Sequence, residues 1–549
     1  MIRILEKDET MGDVVNNNSK CASATLRSPV LTILLAALAL QSCGGGGGGS
    51  NSSSAAADLC PGVAAGAQVG GATIASVEHV SRTDTVPAYC KVSATIAPQT
   101  VFELRLPDAW AGRYLHMGGG GFDGKISNYD SNYLGAITAL SRGFAVVASN
   151  GGHIGNPNVV GGILADASWA LNNPTALADY GYRAIGTVDT AAKAMTTQFY
   201  KRAPQFSYFN GCSTGGREAL IAATYFPQNY DGIIAGAPET SNSGKMLARY
   251  NIYQQLLAPG SLLLPSKVAA LEKATLAACD GLDGVNDGLI SNLAACHFDP
   301  AVLRCSGAEN DSCLTDAQVQ TVRTIRGNTV LADGTIVHAG YGLGAELNPS
   351  DGVDWQPRFF GNPSTGAASD GFLDTLSRLR YFIFNNPSYD IGSFQADRDY
   401  PVVASKDAAN GLDVDPTAFT AYAAAGKKLI IWNGASDYAI SANQTARFYG
   451  QMSDALGGAA PASAFSRLFV FPGVHHCIGG VGADQFDQVG AISDWVERGI
   501  APDNLKATKT DAATAAVQLS RPLCPYPKFA RYKGGGDTNK AENFSCATE

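Results

Sequence analysis

Charged residues are scarce in this chain of 549 residues, at 16%, whereas hydrophobic residues make up 45%. A chain of this length and composition can bury a large core, so the scarcity of charge excludes an intrinsically disordered protein. An excess of basic residues is also missing, because the formal net charge is −9. Proteins that bind nucleic acid cluster Lys and Arg on one surface, and this balance therefore argues against nucleic acid as a partner.

The N-terminal region lacks a hydrophobic run long enough to span a membrane. Lys20 and Arg27 precede the run Val30–Leu40, which has about a dozen residues and suits the apolar region of a secretory signal. The run is followed by Ser42 and Cys43, a pattern similar to a bacterial lipobox. The sequence therefore predicts cleavage before Cys43 and attachment of lipid to this residue.

Residues 1–43 are thus predicted to be a signal peptide with a lipobox, and residues 44–58, rich in Gly, Ser and Ala, a flexible linker. An ordinary secretory signal cleaved near Ala55 is the alternative. Both interpretations predict export, to the periplasm or outer membrane as a lipoprotein or into the medium. The membrane would be contacted only through the N-terminal lipid anchor.

Zinc-type spacing is absent, since no CxxC or Cys/His cluster among the 12 cysteines has the spacing of a zinc site. Removing Cys21 and lipidated Cys43 from 12 leaves 10, an even number that suggests five disulfides in an oxidising compartment. Parity alone does not give the connectivity. Pairing neighbours along the chain predicts Cys60–Cys90, Cys279–Cys296, Cys305–Cys313 and Cys524–Cys546, and leaves Cys212 and Cys477 for each other.

Strand-like apolar runs alternate with helical segments along most of the chain. Residues 182–199 and 214–225 are typical of helices, so the pattern predicts βαβ units and a mostly parallel sheet. From about Ser241 to Asp415 the alternation stops, which indicates an inserted domain. The runs with the length and composition of buried strands are residues 101–106, 113–117, 144–148, 206–210, 232–235, 428–432 and 467–471.

A GxSxG pattern follows one of these strands. The strand ends at Asn210, and a helix rich in Ala and Leu begins directly after Ser213. Gly211, Gly215 and Gly216 permit the tight strand-to-helix turn that exposes a serine side chain. A serine at a helix N-terminus can also be a simple cap, but this setting favours Ser213 as a nucleophile.

Two further residues complete a triad in the chain order of α/β-hydrolases, which is Ser, Asp, His. Asp437 follows one predicted strand and His476 follows the next. We expect Asp437 to orient the imidazole and His476 to accept the proton of Ser213. His476 is preferred to His475 because it adjoins Cys477. A solvated turn acid is the alternative interpretation of Asp437.

Two cysteines support this triad. Cys212 precedes Ser213, and Cys477 follows His476. If the serine and the histidine lie within hydrogen-bond reach, the two cysteines are brought almost to bonding distance. The sequence therefore predicts a disulfide between Cys212 and Cys477 that links the two halves of the active site.

Two backbone N–H groups are predicted to form an oxyanion hole. Thr214 follows the nucleophile at the positive end of a helix. The second donor is expected from residues 118–124 (GGGGFDG), which follow an early strand as the HGGG-type loops of esterases do. Gly120 is the predicted donor within this loop. A plain flexible loop is the alternative.

These motifs together resemble the tannase and feruloyl esterase family of serine esterases. The resemblance covers nearly the whole mature chain and rests on residues 211–216 (GCSTGG), the Asp437 loop, His476-Cys477, residues 118–121 and the cysteine order. In that family the cysteines flanking the serine and the histidine are joined, which supports the disulfide inferred above.

The resemblance implies an α/β-hydrolase fold with a large inserted lid domain. Residues 59–240 and 416–549 would form the α/β-hydrolase domain, and residues 241–415 the lid. It also implies a lid pocket that selects the aromatic acyl group of an ester. The lid offers aromatic residues for such a pocket and two arginines as candidate partners of a substrate carboxylate: Trp355, Phe359, Phe360, Phe372, Tyr381, Phe382, Phe384, Arg378 and Arg380.

An acid-rich loop at residues 279–289 (CDGLDGVNDGL) places three carboxylates within eight residues. Hard oxygen ligands at this density suit calcium, although the spacing does not fit an EF-hand. The resemblance implies a structural Ca²⁺ ion bound by the carboxylates of Asp280, Asp283 and Asp287 and the carbonyls of Val285 and Leu289. A solvated loop of Asx turns is the alternative.

The activity implied is hydrolysis of esters of aromatic acids, such as ferulates and gallates, without an organic cofactor. Mono(2-hydroxyethyl) terephthalate is an alternative substrate. A peptidase or acyltransferase could use the same triad, because a triad does not define the leaving group or the acceptor. A thiol enzyme would need a free Cys212, and a non-catalytic surface-binding lipoprotein would leave the triad unexplained. The sequence does not predict an oligomeric state.

Overall fold

A computed structural model describes residues 59–127, 134–159, 161–344, 346, 354–362 and 364–548. The predicted signal peptide, the lipidation site Cys43 and the linker lie outside the described residues. Within the described part of the chain, no helix combines the length and apolar character that crossing a membrane requires.

A ten-stranded sheet forms the centre of the molecule, in the order β1-β2-β3-β4-β6-β5-β7-β8-β11-β12. Strands β6, β5, β7, β8, β11 and β12 run parallel to one another. Strands β1 to β4 pair antiparallel, and β4 also pairs antiparallel with β6. The strands of the described residues are β1 (Gln68–Val69), β2 (Ala72–Val80), β3 (Tyr89–Ile96), β4 (Thr100–Pro107), β5 (Arg113–Met117), β6 (Phe144–Ser149), β7 (Phe206–Cys212), β8 (Gly232–Gly236), β9 (Thr329–Val330), β10 (Ile336–His338), β11 (Lys428–Gly434), β12 (Ser466–Phe471), β13 (Leu505–Thr510), β14 (Val517–Leu523), β15 (Phe529–Tyr532) and β16 (Phe544–Ala547).

The α-helices of the described residues lie mostly between these strands or in the segment 241–415. They are α1 (Ala136–Ser141), α2 (Pro174–Ala178), α3 (Ala184–Tyr200), α4 (Thr214–Tyr225), α5 (Asn242–Leu256), α6 (Pro265–Cys279), α7 (Asp316–Arg326), α8 (Asp370–Ser377), α9 (Ala396–Ala409), α10 (Thr420–Ala424), α11 (Ala442–Ala455), α12 (Ala459–Phe465) and α13 (Gln488–Arg498).

Helices cover both faces of the parallel part of the sheet, which explains why its strands are continuously apolar. On one face, Val188 of α3 and Leu220 of α4 pack with strand residues such as Phe209. On the other face, Leu140 of α1 and Trp495 of α13 pack in a second cluster. The predicted α/β-hydrolase type of fold is confirmed, and all seven predicted strands lie within β4 to β8, β11 and β12.

The N-terminal part of the sheet differs from the prediction of a mostly parallel sheet. Strands β1, β2 and β3 precede the first predicted strand and pair antiparallel. In β3, buried and partly exposed residues largely alternate. Alternation of this kind is typical of a half-exposed antiparallel strand and is weaker than the apolar runs of the parallel strands.

The segment 241–415 contributes no strand to the central sheet within the part that the structure describes. It contains helices α5 to α9, and its two short strands, β9 and β10, pair only with each other. Its role as a lid remains a proposal.

Five disulfides join the ten cysteines of the described residues. The structure forms the same pairs that the sequence predicts: Cys60–Cys90, Cys212–Cys477, Cys279–Cys296, Cys305–Cys313 and Cys524–Cys546.

Candidate active site

Ser213 lies in the sharp turn between β7 and α4. Its backbone adopts φ 66° and ψ −124°, and its N–H donates to Gly236 O at 3.0 Å. The turn has no room for side chains on its glycines. A Cβ on Gly211 would clash with Gly215 O, and one on Gly215 would come within 2.7 Å of Gly119 O. Close packing of backbone against backbone therefore explains why this turn is rich in glycine.

A chain of hydrogen bonds joins Ser213, His476 and Asp437. The distance from Ser213 Oγ to His476 Nε2 is 2.8 Å, as is the distance from His476 Nδ1 to Asp437 Oδ2. With neutral His476 protonated on Nδ1, the serine hydroxyl donates to Nε2 and the imidazole donates to the carboxylate. This is the arrangement of a nucleophile, a general base and the acid that orients it.

Backbone groups hold the Asp437 carboxylate in place. Asp437 is buried, and its Oδ1 accepts the N–H groups of Ala439 and Ile440 at 2.7 and 2.8 Å. Oδ2 is left to face the imidazole. The two backbone donors therefore fix the orientation of this carboxylate toward His476. His475, by contrast, points its ring at the edge of Tyr438 in the interior.

The disulfide Cys212–Cys477 connects the turn that carries Ser213 to the loop that carries His476. Its Cα atoms are 6.0 Å apart. The histidine loop is held at two further points. Lys509 Nζ of β13 donates to Gly480 O at 2.6 Å, and Gly479 N–H donates to Asp484 Oδ2 at 2.9 Å. Sequence analysis did not identify Lys509 or Asp484, because neither lies in a recognisable motif.

The oxyanion donor predicted at Gly120 is not available. Its N–H donates to Asp123 Oδ1 at 2.7 Å, so the prediction named the wrong peptide of the glycine-rich loop. Among the described residues, the N–H groups of Gly121 and Thr214 have no protein acceptor. These two groups belong to touching segments, because Thr214 Oγ1 donates to Gly121 O at 2.7 Å.

The lid aromatic residues named from the sequence do not form one pocket. Trp355, Phe359 and Phe360 pack with one another in a buried cluster. Phe382 is different, because its ring lies 5.2 Å from that of Phe122, the residue after Gly121. It also lies 5.2 Å from the ring of Trp169.

Both candidate carboxylate partners in the segment 241–415 are already engaged. The Arg378 guanidinium is buried and donates to Asp407 at 2.7 Å. Arg380 Nε donates to Tyr389 O at 3.2 Å. A substrate carboxylate would therefore have to compete with Asp407 for Arg378.

The acid-rich loop of residues 279–289 brings its three carboxylates into one small region. Asp280 accepts the N–H groups of Asp287 and Gly288, while Asp287 forms an ion pair with Arg521 of β14. Asp283 Oδ2 is buried without a hydrogen-bond partner among the described residues. Burial raises the pKa of Asp283 to about 6 and also raises the pKa of Asp287.

This loop has the donor chemistry of a site for a hard cation. Its ligands would all be oxygen atoms, and the orphaned Asp283 oxygen fits such an ion. In the described part of the chain, however, no group of three or more His, Cys, Asp or Glu side chains is arranged as a metal centre. Leu289, at the end of the loop, packs in the same cluster as Val474 and Cys477 of the histidine loop.

Known proteins resemble this chain over most of its length. Residues 83–547 match the family model described as tannase and feruloyl esterase. A mono(2-hydroxyethyl) terephthalate hydrolase from Piscinibacter sakaiensis is 34% identical over 529 residues, covering 84% of this chain and 85% of that protein. A probable feruloyl esterase from Arthroderma benhamiae is 31% identical over 525 residues, covering 88% and 92%. The crystal structure of feruloyl esterase B from Aspergillus oryzae is 25% identical, with a TM-score of 0.74 over 88% of this chain and 98% of that chain.

Proposed function

This chain belongs to the tannase and feruloyl esterase family of carboxylic ester hydrolases, and from this premise we propose that it hydrolyses esters of aromatic acids through an acyl-enzyme on Ser213. The observation that carries the proposal is the hydrogen-bond chain from Ser213 through His476 to Asp437. Both hydrogen bonds are already formed at 2.8 Å, so the three side chains need no rearrangement before a substrate binds.

In the acylation step, Ser213 Oγ attacks the ester carbonyl carbon while His476 Nε2 takes the hydroxyl proton. Asp437 stabilises the imidazolium that forms. When the tetrahedral intermediate collapses, the bond to the leaving alkoxide breaks and His476 returns the proton to it. The products of this step are the free alcohol and acyl-Ser213, with the neutral histidine restored.

Deacylation repeats the sequence with water as the nucleophile. His476 removes a proton from water as its oxygen attacks the acyl carbon, and then protonates Ser213 Oγ as the bond to the acyl group breaks. The carboxylic acid is released and Ser213 is regenerated.

We assign the oxyanion hole to the N–H groups of Gly121 and Thr214. Both lack a protein acceptor among the described residues, and the contact between Thr214 Oγ1 and Gly121 O keeps them close together. Thr214 is also the first residue of α4, so the positive end of the helix favours the developing negative charge.

An aromatic cluster beside the glycine-rich loop supports the substrate class. Phe122 follows Gly121 directly, and Phe382 from the segment 241–415 packs against it together with Trp169. Aromatic side chains near the oxyanion donors suit an aromatic acyl group by stacking and edge contacts. The same contact supports a role of residues 241–415 as the lid over the site.

Mono(2-hydroxyethyl) terephthalate is the second candidate substrate, because the relative at 34% identity is named as its hydrolase. That substrate carries a free carboxylate, which calls for an unpaired cation. Arg378 is paired with Asp407, and this makes the uncharged aromatic esters the better-supported class.

The proposal is tested by hydrolysis of four esters with the purified chain from about Ala56: methyl ferulate, methyl gallate, mono(2-hydroxyethyl) terephthalate and p-nitrophenyl acetate. We expect kcat/KM to be highest for one of the uncharged aromatic esters. Ser213→Ala is expected to lower kcat by more than about 10³-fold, and labelling of Ser213 by a fluorophosphonate reports the nucleophile directly. The matched control is Ser243→Ala, at a serine that bonds to Asp413.

The panel separates the competing functions. Highest activity on the terephthalate ester would favour the second candidate, and activity on p-nitrophenyl acetate alone would discard aromatic specificity. Amide hydrolysis or transfer to an added alcohol would indicate a peptidase or an acyltransferase. No serine-dependent activity and no labelling would favour a binding protein.

We also propose that the acid-rich loop holds a structural Ca²⁺ ion through Asp280, Asp283, Asp287 and the carbonyls of Val285 and Leu289. The ion would neutralise carboxylates that burial leaves uncompensated, above all Asp283. A chelator is expected to lower the melting temperature, and added calcium to restore it. Asp283→Asn should weaken this response, with exposed Asp299→Asn as the control. An unchanged melt, with no calcium in the protein by elemental analysis, would contradict the site.

Finally, we propose export with a lipid anchor at Cys43. The five disulfides indicate a protein of an oxidising compartment outside the cytoplasm. Labelling of the full chain with a radioactive fatty acid should depend on Cys43, and Cys43→Ala is the matched variant. An unlabelled chain whose N-terminus lies near Ala55 would instead establish an ordinary secretory signal.

A further inference from the structure

Two buried carboxyl groups lie directly behind the glycine-rich loop, and the triad chemistry uses neither of them. Asp123 belongs to the loop and is fully buried, while Glu218 is 6% exposed and comes from the first turns of α4. Glu218 Oε2 accepts the N–H of Gly119 at 2.8 Å, and Asp123 Oδ1 accepts the N–H of Gly120 at 2.7 Å. The two carboxyls thus bind consecutive peptides immediately before Gly121.

Asp123 forms hydrogen bonds with both the N–H and the carbonyl of Gly120. In addition to the side-chain bond, the backbone N–H of Asp123 donates to Gly120 O at 2.9 Å. In the trans peptide that joins Gly120 to Gly121, the N–H points opposite to the C=O. The backbone N–H of Asp123 fixes the direction of the Gly120 carbonyl. The N–H of Gly121, on the opposite side of the same peptide, therefore points away from the turn. The Gly121 carbonyl is held in turn by Thr214 Oγ1 and by the hydroxyl of Tyr180 at 3.0 Å.

The carboxyl groups are packed tightly against the loop backbone. A Cβ on Gly119 would clash with Asp123 Oδ1, and one on Gly118 would lie 3.0 Å from Glu218 Oε2. Asp123 itself has a φ of 54°, in the left-handed region that aspartate enters more readily than most residues. The loop can neither carry side chains here nor shift without breaking these contacts.

The two carboxyl groups interact with each other in the interior. Asp123 Oδ2 is buried without a hydrogen-bond partner among the described residues. Burial, followed by the charge of Glu218, raises the pKa of Asp123 well above its usual range, and burial also raises that of Glu218. Both shifts favour the protonated forms of these buried carboxyl groups.

A buried cation faces this pair. Arg217 of α4 donates to the carbonyls of Gly181, Gly411 and Tyr180, and its charge partly offsets the rise in the pKa of both carboxyl groups. Burial raises the pKa of Tyr180 to about 12 and lowers that of His153 to about 4, so both are neutral near pH 7.

We propose that Asp123 and Glu218 are positioning residues that hold the Gly121 N–H in the geometry required for oxyanion stabilisation. The inference rests on the proposed esterase function and deepens it, because it identifies what fixes the oxyanion donor. Neither residue touches the substrate in this account.

Substitutions separate positioning from general stability. Asp123→Asn retains an acceptor for the Gly120 N–H, and its amide does not ionise. Asp123→Ala and Glu218→Ala each remove an acceptor of the loop. Asp189→Asn is the matched control, because Asp189 is a buried acid of α3 that bonds to Lys193 and Asn229 and has no contact with the loop.

The experiment measures kcat and KM for p-nitrophenyl acetate, inhibition by phenylboronic acid and the melting temperature for the parent and each variant. Phenylboronic acid forms a tetrahedral adduct with the nucleophilic serine and so probes the oxyanion hole. For Asp123→Ala and Glu218→Ala we expect kcat to fall about 10²-fold, KM to change little, and inhibition to weaken in parallel. Asp123→Asn should keep a kcat near that of the parent, because its amide oxygen can still accept the Gly120 N–H.

Specific results would overturn the proposal. One is a kcat and a boronate affinity in the alanine variants that match those of Asp189→Asn. Another is an Asp123→Asn variant as inactive as Asp123→Ala. If the alanine variants do not fold, Asp123→Asn decides: a kcat and a boronate affinity near those of the parent support the proposal, and a loss of about 10²-fold in both overturns it. Ester hydrolysis by the parent and by Ser213→Ala is measured first. If the parent shows no hydrolysis that depends on Ser213, the proposed function is refuted, and the inference with it.

Discussion

Ser213 and Cys477 share a backbone conformation that side-chain-bearing residues rarely adopt, with φ 66° in both cases. Such conformations cost on the order of 1 kcal/mol or more and concentrate where a site needs a particular geometry. Ser213 adopts its conformation at the turn that presents its hydroxyl. Cys477 adopts it beside His476, where the disulfide to Cys212 holds it.

Gly211 provides a test of the packing around this turn. Gly211→Ala should destabilise the fold by about 1–3 kcal/mol, because the new methyl group would clash with Gly215 O. Gly450→Ala is the control, since a Cβ there meets nothing within 4 Å in helix α11. It should stabilise the protein by about 0.5–1 kcal/mol. Chemical denaturation measures both, and equal effects of the two substitutions would contradict the account.

Asp437 provides a test of the triad geometry. Asp437→Asn should lower kcat by about 10⁴-fold with little change in KM, because an amide favours the wrong tautomer of His476. The melting temperature should change less than the activity. Asp415→Asn, at an acid that bonds to Thr417 in an exposed turn, is the matched control. A kcat within tenfold of the parent would exclude Asp437 as the orienting acid.

At the scale of elements, the loop that carries His476 is held by contacts with several neighbouring segments. The disulfide holds it to the nucleophile turn, Lys509 of β13 holds Gly480, and Leu289 packs against it from the acid-rich loop. The hydrogen-bond chain from Ser213 to Asp437 is therefore held in place by contacts between segments that are distant in sequence, and the covalent disulfide is the strongest of them.

Removing this disulfide should impair both stability and turnover. Cys212→Ala with Cys477→Ala is expected to cost about 2–5 kcal/mol of stability and to lower kcat, because the distance from Ser213 to His476 is no longer held. The control is Cys305→Ala with Cys313→Ala, which opens a bond of sequence separation 8 away from the site. The control should lose less stability and keep its kcat. Full activity in the first double variant would refute the role of the bond.

The strands of the central sheet differ in how clearly the sequence predicts them, and the reason is physical. The parallel strands, buried on both faces, were recognisable as apolar runs, and helix α4 has the predicted bounds of residues 214–225. Strands β1 to β3 were not predicted, because an antiparallel strand with one exposed face carries only a weak alternating signal.

At the scale of the whole molecule, buried ionisable groups make stability depend on pH. His116 on β5 and His338 on β10 are both buried, and burial lowers the pKa of each to about 3. Nearby cations, Lys193 for His116 and Arg249 for His338, lower it further. Both imidazoles are neutral in the folded protein at pH values where the unfolded chain already binds protons.

Acid should therefore destabilise the fold well above the pH at which carboxylates protonate. The contribution of each histidine is fully present above its unfolded pKa of about 6.5. It is lost as the pH falls from there toward 3, by up to about 1.4 kcal/mol per pH unit. His116→Gln should reduce this slope in urea denaturation between pH 7 and 4, with exposed His297→Gln as the control. Parallel curves for the parent and His116→Gln would show that His116 does not cause the slope.

The sequence by itself determined the fold class, the family, the disulfide pairs and the three residues of the hydrogen-bond chain from Ser213 through His476 to Asp437. Those features depend on local patterns, such as a strand followed by GxSxG, and on the neighbours of Ser213 and His476 along the chain. Only the tertiary structure decided which N–H of the glycine-rich loop is free, because the answer depends on peptide orientation and on the position of Asp123. It also brought Glu218 beside Asp123 and paired Arg378 with Asp407. Contacts of this kind join distant segments of the chain, and no local pattern encodes them.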